Sequence, residues 1–163
     1  MNIMKLSERV WQDPAYFIAF GFGSGLAPIA PGTFGTLAAF PLYLLLSGTS
    51  WITYLLCTVF AFILGIAVSN RVSSDLGVHD YSGIVWDEVV GYLCTMFLAP
   101  PGFGWMVLGF FLFRVFDIWK PEPIHMIDKQ IGGGFGIMLD DVLAAVPAWF
   151  ILQLAAFFCG RWA

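Results

Sequence analysis

From Trp51 to Ser69 the chain runs without one charged side chain. A helix through that run is about 28 Å long at 1.5 Å per residue, close to the ~30 Å hydrocarbon thickness of a bilayer. Thr33 to Ser47 is a second apolar stretch, joined to the first by the uncharged turn Ser47 to Ser50, and together they predict a helical hairpin. Apolar sequence resumes from Ile84 to Ala99 and from Trp105 to Trp119, around the uncharged turn Pro100 to Gly104, and again from Gly134 to Gly160. The predicted fold is all-α: one domain over residues 1–163, a polytopic integral membrane helical bundle of about four to five membrane segments. The segment around Asp87 is short for a full crossing, so five is the upper count.

Composition agrees. Hydrophobic residues are 60% of the 163 and charged residues 11%, with a mean hydropathy of +0.84, whereas soluble domains carry about 25% charged residues. The net charge is −4, and seven Lys and Arg cannot assemble the basic surface a nucleic acid needs, so no such partner is expected. Cys57, Cys94 and Cys159 sit singly in apolar runs and read as small hydrophobes, neither a disulfide framework nor a zinc site. The start, MNIMKLSERVWQDP, lacks the order of a cleaved signal peptide and is expected to be a mature cytoplasmic end. Lys5 to Asp13 is amphipathic, Pro14 can open a helix, and Ala15 to Phe22 is too short to span, which leaves it lying in the interface or dipping into it.

Charge sets the expected orientation. With the N-terminus cytoplasmic, Lys5, Arg9, Arg71, Arg114, Lys120 and Lys129 fall on the cytoplasmic side and only Arg161 does not. Trp11, Trp86 and Trp119 then mark one interface, and Trp51, Trp105 and Trp162 the other. After Ser69 the segment NRVSSDLGVHDYSG is polar, hence extramembrane and part helix, with His79 a surface residue; His125, in the later polar loop, is expected at the surface too.

Against this apolar background the charges that remain stand out. FRVFDIWKPEP, residues 113 to 123, spaces Arg114, Asp117 and Lys120 by three, which puts them on one face of a helix that Pro121 and Pro123 stop. A flanking basic segment in which Asp117 only neutralises Arg114 has the same pattern. Asp87 and Glu88 open one apolar stretch, and Asp140 and Asp141 lie in the first third of the last. A carboxylate at membrane depth costs about +2.5 to 3.5 kcal/mol on insertion, which makes each a functional candidate, although one member of each pair can simply flank a helix. Adjacent acids point about 100° apart, so both reach one site only if it lies between helices.

All these groups, with the Gly- and Pro-rich loop GSGLAPIAPGTFGTL (23 to 37), fall at the cytoplasmic ends of their helices and form one candidate polar site. Two acidic pairs plus Asp117 repel one another unless cations intervene. Oxygen-only ligands favour magnesium or manganese, with Arg114 and Lys120 adding positive charge. In the loop, glycines with Thr33 and Thr36 can present amides and hydroxyls to a phosphate at a helix start; a tight connection packed through glycine fits equally well. Gly132 to Gly136 is expected to let the final helix pack closely. The set points to phosphoryl chemistry on a membrane-embedded substrate.

APGTFGTL (30 to 37), WDEVVGYL (86 to 93), FRVFDIWKPEPI (113 to 124) and GGGFGIMLDD (132 to 141) resemble, in order and spacing, the signature blocks of the phosphatidylglycerophosphatase A family. The likeness runs from about Gly23 to Ala145, with Ala144-Ala145 a mild departure where Ala-Gly is common in that family. It implies a magnesium-dependent integral membrane phosphatase of the bacterial inner (cytoplasmic) membrane, its active site facing the cytoplasm. The implied reaction removes the terminal phosphate of phosphatidylglycerophosphate to leave phosphatidylglycerol. It further implies Asp87, Glu88, Asp140 and Asp141 as metal ligands, Arg114, Lys120, Thr33 and Thr36 as phosphate-binding residues, and Asp117 and Asp141 as catalytic. Asp117 is then a general base on water, the first choice, or a nucleophile that forms an aspartyl phosphate. The alternative outside enzymes is a small membrane cation carrier or channel subunit, which would hold acids near the midplane and often show paired repeats. Here the acids gather at one face and no repeat is visible.

Overall fold

The computed structural model describes residues 3–78, 81–119 and 132–160. Every regular element among them is helical. Helix α1 (Ile3–Gln12) buries Leu6 and Val10, one turn apart, and leaves Trp11 exposed. Asp13 then caps α2 (Pro14–Ala19), its carboxylate accepting from the Ala15 N–H at 2.9 Å, with proline in the first turn where its missing N–H costs nothing. The stretch from Ala15 to Phe22 does not continue as one helix. It ends at Ala19 and passes into a 3-10 segment, Gly21–Leu26, with Phe22 and Gly23 in left-handed conformations. Tyr16, Ala19 and Phe20 are fully buried there.

Helices α3 (Pro31–Ser47) and α4 (Trp51–Leu76) form the expected hairpin, and the Ser50 side chain caps α4 by accepting from the Thr53 N–H at 3.1 Å. α4 does not stop where the sequence turns polar at Asn70. Val68 and Val72 keep one face buried, while Arg71 pairs with Asp13 at 2.6 Å and Asp75 pairs with Arg9. These contacts tie α1 and α2 to the extra turns of α4, and Gly77, at φ +67°, ends the helix.

Helix α5 (Trp86–Thr95) is about 15 Å long, half a bilayer, so it cannot cross one. It is buried on every side, through Val89, Val90, Tyr92 and Leu93. α6 (Phe103–Trp119) and α7 (Gly133–Phe158) complete the bundle, α7 packing against α4, α5 and α6, and α5 also against α3. By length and composition α4 and α7 can each span a membrane, while α3 is apolar but shorter. Only 28% and 33% of their most apolar windows are buried within the protein, so both helices turn most of their apolar surface outward. Leu56, Phe60 and Ile63 of α4 and Phe150 and Phe157 of α7 are all at least 60% exposed, a surface unsuited to water.

Trp86 departs from the expected aromatic belt. It is 5% exposed, and its indole N–H donates to the Ala61 carbonyl at 2.9 Å. Gly65, one turn on in α4, makes room: a Cβ there would stand 2.7 Å from the Trp86 ring and 2.5 Å from Met138 Sδ. Trp86 therefore locks α5 to α4 and α7. Trp11, Trp51 and Trp119 are exposed, and Trp105 is half-buried against the core; Trp162 lies outside the described residues.

Candidate active site

Helical spacing accounts for the first contact. Arg114 and Asp117, three apart on α6, pair at 2.5 Å between Nη1 and Oδ2. The same Nη1 lies 3.6 Å from Glu88 Oε1, so the guanidinium links α6 to the first turn of α5. Two glycines allow the helices to close on it. At Gly32, in the first turn of α3, a Cβ would stand 2.0 Å from Glu88 Oε1 and 3.0 Å from Arg114 Nη1. At Gly91, one turn after Asp87, a Cβ would stand 2.5 Å from the Phe113 ring and 3.1 Å from Asp141 Cβ. Gly134 likewise brings the start of α7 against the Ile66 carbonyl of α4, the close packing expected of the glycine tract.

The four expected ligand residues and Asp117 converge. Asp87, Glu88 and Asp141 form one group, and Asp117, Asp140 and Asp141 a second; within each, three carboxylate oxygens lie within 4.8 Å of one another. Asp141 belongs to both, which answers how adjacent acids on α7 serve one site. The site lies between helices, with Asp141 grouped with acids of both α5 and α6, and Asp140 grouped with Asp117 of α6. Asp87, Asp117, Asp140 and Asp141 are between 3% and 9% exposed, too little for water to solvate their charge. Among the described residues the cluster holds five carboxylates and one guanidinium, which pairs with Glu88 and Asp117. Glu88 Oε2 and Asp141 Oδ2 are buried with no hydrogen-bond partner among those residues.

An all-oxygen donor set, crowded and short of positive charge, has the composition that holds a hard divalent cation.

The other expected site residues fall differently. Thr33 lies in the first turn of α3, which opens on Ala30 in a left-handed conformation (φ 49°) with no side-chain cap; the Thr33 N–H donates to the Ala30 carbonyl at 3.0 Å, and Pro31 has no N–H, which leaves the Gly32 amide. Thr36 is fully buried and its hydroxyl donates to the Gly32 carbonyl at 2.9 Å, holding the turn that carries Gly32. Lys120, His79 and His125 lie outside the described residues. Gly32 belongs to the glycine-rich loop already expected at the site, whereas Gly91 is a site position that residue-type reasoning passed over; its sole signal was a glycine inside a helix, one turn after Asp87.

The family profile of phosphatidylglycerophosphatase A matches residues 17–156, and so includes the whole cluster. The chain belongs to the phosphatidylglycerophosphatase A family. It is 42% identical over 147 residues to the phosphatidylglycerophosphatase A of Escherichia coli, covering 90% of this chain and 86% of that one. Against the phosphatidylglycerophosphatase A of Haemophilus influenzae it is 44% identical over 142 residues, with 86% and 87% covered. A Bacteroides thetaiotaomicron protein provisionally named phosphatidylinositol-3-phosphatase is 39% identical over 152 residues, 88% of this chain and 94% of that one. No solved structure matches the chain. The family match covers Gly32, Asp87, Glu88, Gly91, Arg114, Asp117, Asp140 and Asp141, on α3, α5, α6 and α7.

Proposed function

We propose that this protein hydrolyses the terminal phosphate monoester of phosphatidylglycerophosphate to phosphatidylglycerol and phosphate, with magnesium, at the cytoplasmic face of the bacterial inner membrane. The observation that carries the reading is the convergence of five carboxylates and Arg114 in one buried cluster, in a chain of the phosphatidylglycerophosphatase A family.

Asp87, Glu88, Asp140 and Asp141 hold the metal in this reading. When bound, magnesium offsets charge on the phosphoryl oxygens and makes a coordinated water more acidic. Arg114 and Lys120 bind the substrate phosphate: Arg114 Nε, buried with no hydrogen-bond partner among the described residues, keeps an N–H for it. The Gly32 amide at the start of α3, beside Glu88 and Arg114, and the Thr33 hydroxyl add donors. Asp117, oriented by its ion pair with Arg114, takes the proton of the attacking water.

In the bilayer, α3, α4, α6 and α7 are the crossings and α5 is a half-length helix that presents Asp87 and Glu88. Arg9 and Arg71 lie at the same end of the bundle as the cluster, whereas the turns 47–50 and 100–104 carry no charge, which supports a cytoplasmic site.

The test is phosphate release from phosphatidylglycerophosphate in detergent micelles, with magnesium and with chelator, for the protein and for Asp141→Asn. Release that requires both the metal and Asp141 is expected. Release that survives chelation, or an unimpaired Asp141→Asn, overturns the metal reading; no release under any metal overturns the activity.

A further inference from the structure

Beyond the C-terminal end of α5 the bundle is not filled. α5 ends at Thr95, while α3, α4 and α7 continue, and residues 96–102 fold back into the gap with Leu98 in a left-handed conformation (φ 58°). They leave a cavity of about 340 Å³, within the range of small-ligand sites (roughly 300–1,000 Å³). Tyr43 of α3, Tyr54 of α4, Met96, and Trp149 and Ala156 of α7 form its wall, and no charged residue lines it. Asp141 and Gln153 are twelve residues apart on α7, about 18 Å along the helix, so the cavity is separate from the acidic cluster.

Several of the polar groups around the cavity are already engaged. The Phe97 carbonyl accepts from both Trp149 Nε1 at 2.8 Å and Gln153 Nε2 at 2.9 Å, and the Tyr54 hydroxyl donates to the Leu93 carbonyl at 2.7 Å. At the rim, Ser47 and Thr49 donate their hydroxyls to the Leu44 and Leu46 carbonyls. A charged or strongly polar ligand finds no counter-charge here, and water finds few of the two to four partners it needs. An apolar chain loses nothing on entering. Trp51 and Leu98, which line it, are 58% and 60% exposed, and the apolar side chains next to its lining, Ile52 and Leu55 on α4 and Phe157 on α7, are exposed as well.

We propose that this cavity binds one acyl chain of a bilayer phospholipid, a resident lipid at the end of the bundle opposite the acidic cluster. The proposal rests on the membrane-embedded reading above, which supplies the chain from the surface onto which the cavity opens.

The protein is reconstituted in phosphatidylcholine vesicles containing a phosphatidylcholine with a diazirine in one acyl chain, irradiated, and mapped by peptide mass spectrometry. Adducts at Met96, Tyr54 and Trp149 are expected to exceed those at the outward-facing Leu56 and Phe60 of α4 several-fold. Ala156→Phe, which fills the cavity, should abolish the first set while Leu56 and Phe60 adducts and magnesium-dependent phosphate release persist. If Ala156→Phe does not yield a folded protein, Ser47→Phe at the rim serves the same purpose. Adducts at Leu56 and Phe60 without enrichment in the cavity, or cavity adducts unchanged in the filled variant, overturn the lipid site alone. No adduct on α4 at all overturns the membrane reading and the lipid site with it.

Discussion

A side chain at Gly32 would collide with Glu88: a Cβ there would lie 2.0 Å from Glu88 Oε1, with Arg114 Nη1 3.0 Å away. The first turn of α3 thus touches the acidic cluster through bare backbone. Neither Glu88 nor Arg114 can yield freely, because the guanidinium is also held by Asp117 at 2.5 Å.

Gly32→Ala is therefore expected to displace Glu88 and Arg114 by about the 1 Å that costs an enzyme roughly 10²-fold in rate. The fold should survive, since the clash is with side-chain ends rather than helix backbone. Turnover of phosphatidylglycerophosphate, measured beside the thermal midpoint, checks this; near-normal turnover would show that the α3 start plays no part in the site.

Asp141 belongs to both carboxylate groups and Asp140 to one. Asp141→Asn should lose more divalent-ion affinity than Asp140→Asn, and its turnover should fall by more than the roughly 10 to 100-fold that changes around a metal's ligands already produce. Manganese titration followed by electron paramagnetic resonance separates the two variants. Equal losses would mean that Asp141 is not shared.

Arg114→Gln removes the guanidinium that pairs with Glu88 and Asp117 while leaving the carboxylates buried. Breaking a buried ion pair by deleting one partner costs about 3–5 kcal/mol, and Arg114 and Asp117 are only 14% and 11% exposed, so solvent offsets little of it. The thermal midpoint should drop in chelator and recover in part with magnesium, since bound cation replaces the lost charge. A midpoint equally low with and without magnesium would argue against a cation among these acids.

Chelation alone should lower the stability of the unsubstituted protein. At a magnesium concentration 100 times the dissociation constant, binding to the folded state contributes about 2.7 kcal/mol. Unfolding scans across a magnesium series should show the midpoint climbing with the logarithm of concentration, and a flat series would exclude specific binding.

Gly65→Val tests the packing around Trp86. The new side chain would meet Met138 Sδ and the indole at under 3 Å, and overpacking of this kind costs about 1–3 kcal/mol. A lowered thermal midpoint with a changed tryptophan emission is expected; unchanged emission would mean that Trp86 does not rest against Gly65.

Local chemistry made part of this protein legible in its sequence. Three-residue spacing on a helix dictates that Arg114 and Asp117 meet, an uncharged run from Trp51 to Ser69 dictates an apolar helix, and Asp13-Pro14 dictates a helix start. Carboxylate pairs in apolar stretches marked the site because burial makes them costly without partners. What depends on two distant segments touching was decided by the tertiary structure alone. Trp86 has the composition of a belt residue, yet the gap at Gly65 draws it into the core. The apolar run from Ile84 to Ala99 suits one helix, but α5 ends at Thr95, and residues beyond it turn back to accept hydrogen bonds from Trp149 and Gln153. α4 outlasts its apolar run because Arg9 and Asp13, far away in the chain, pair with its polar turns. Periodicity and charge report the face a residue shows, whereas the neighbour that face meets, and whether a glycine is there to admit it, is a property of the assembled bundle.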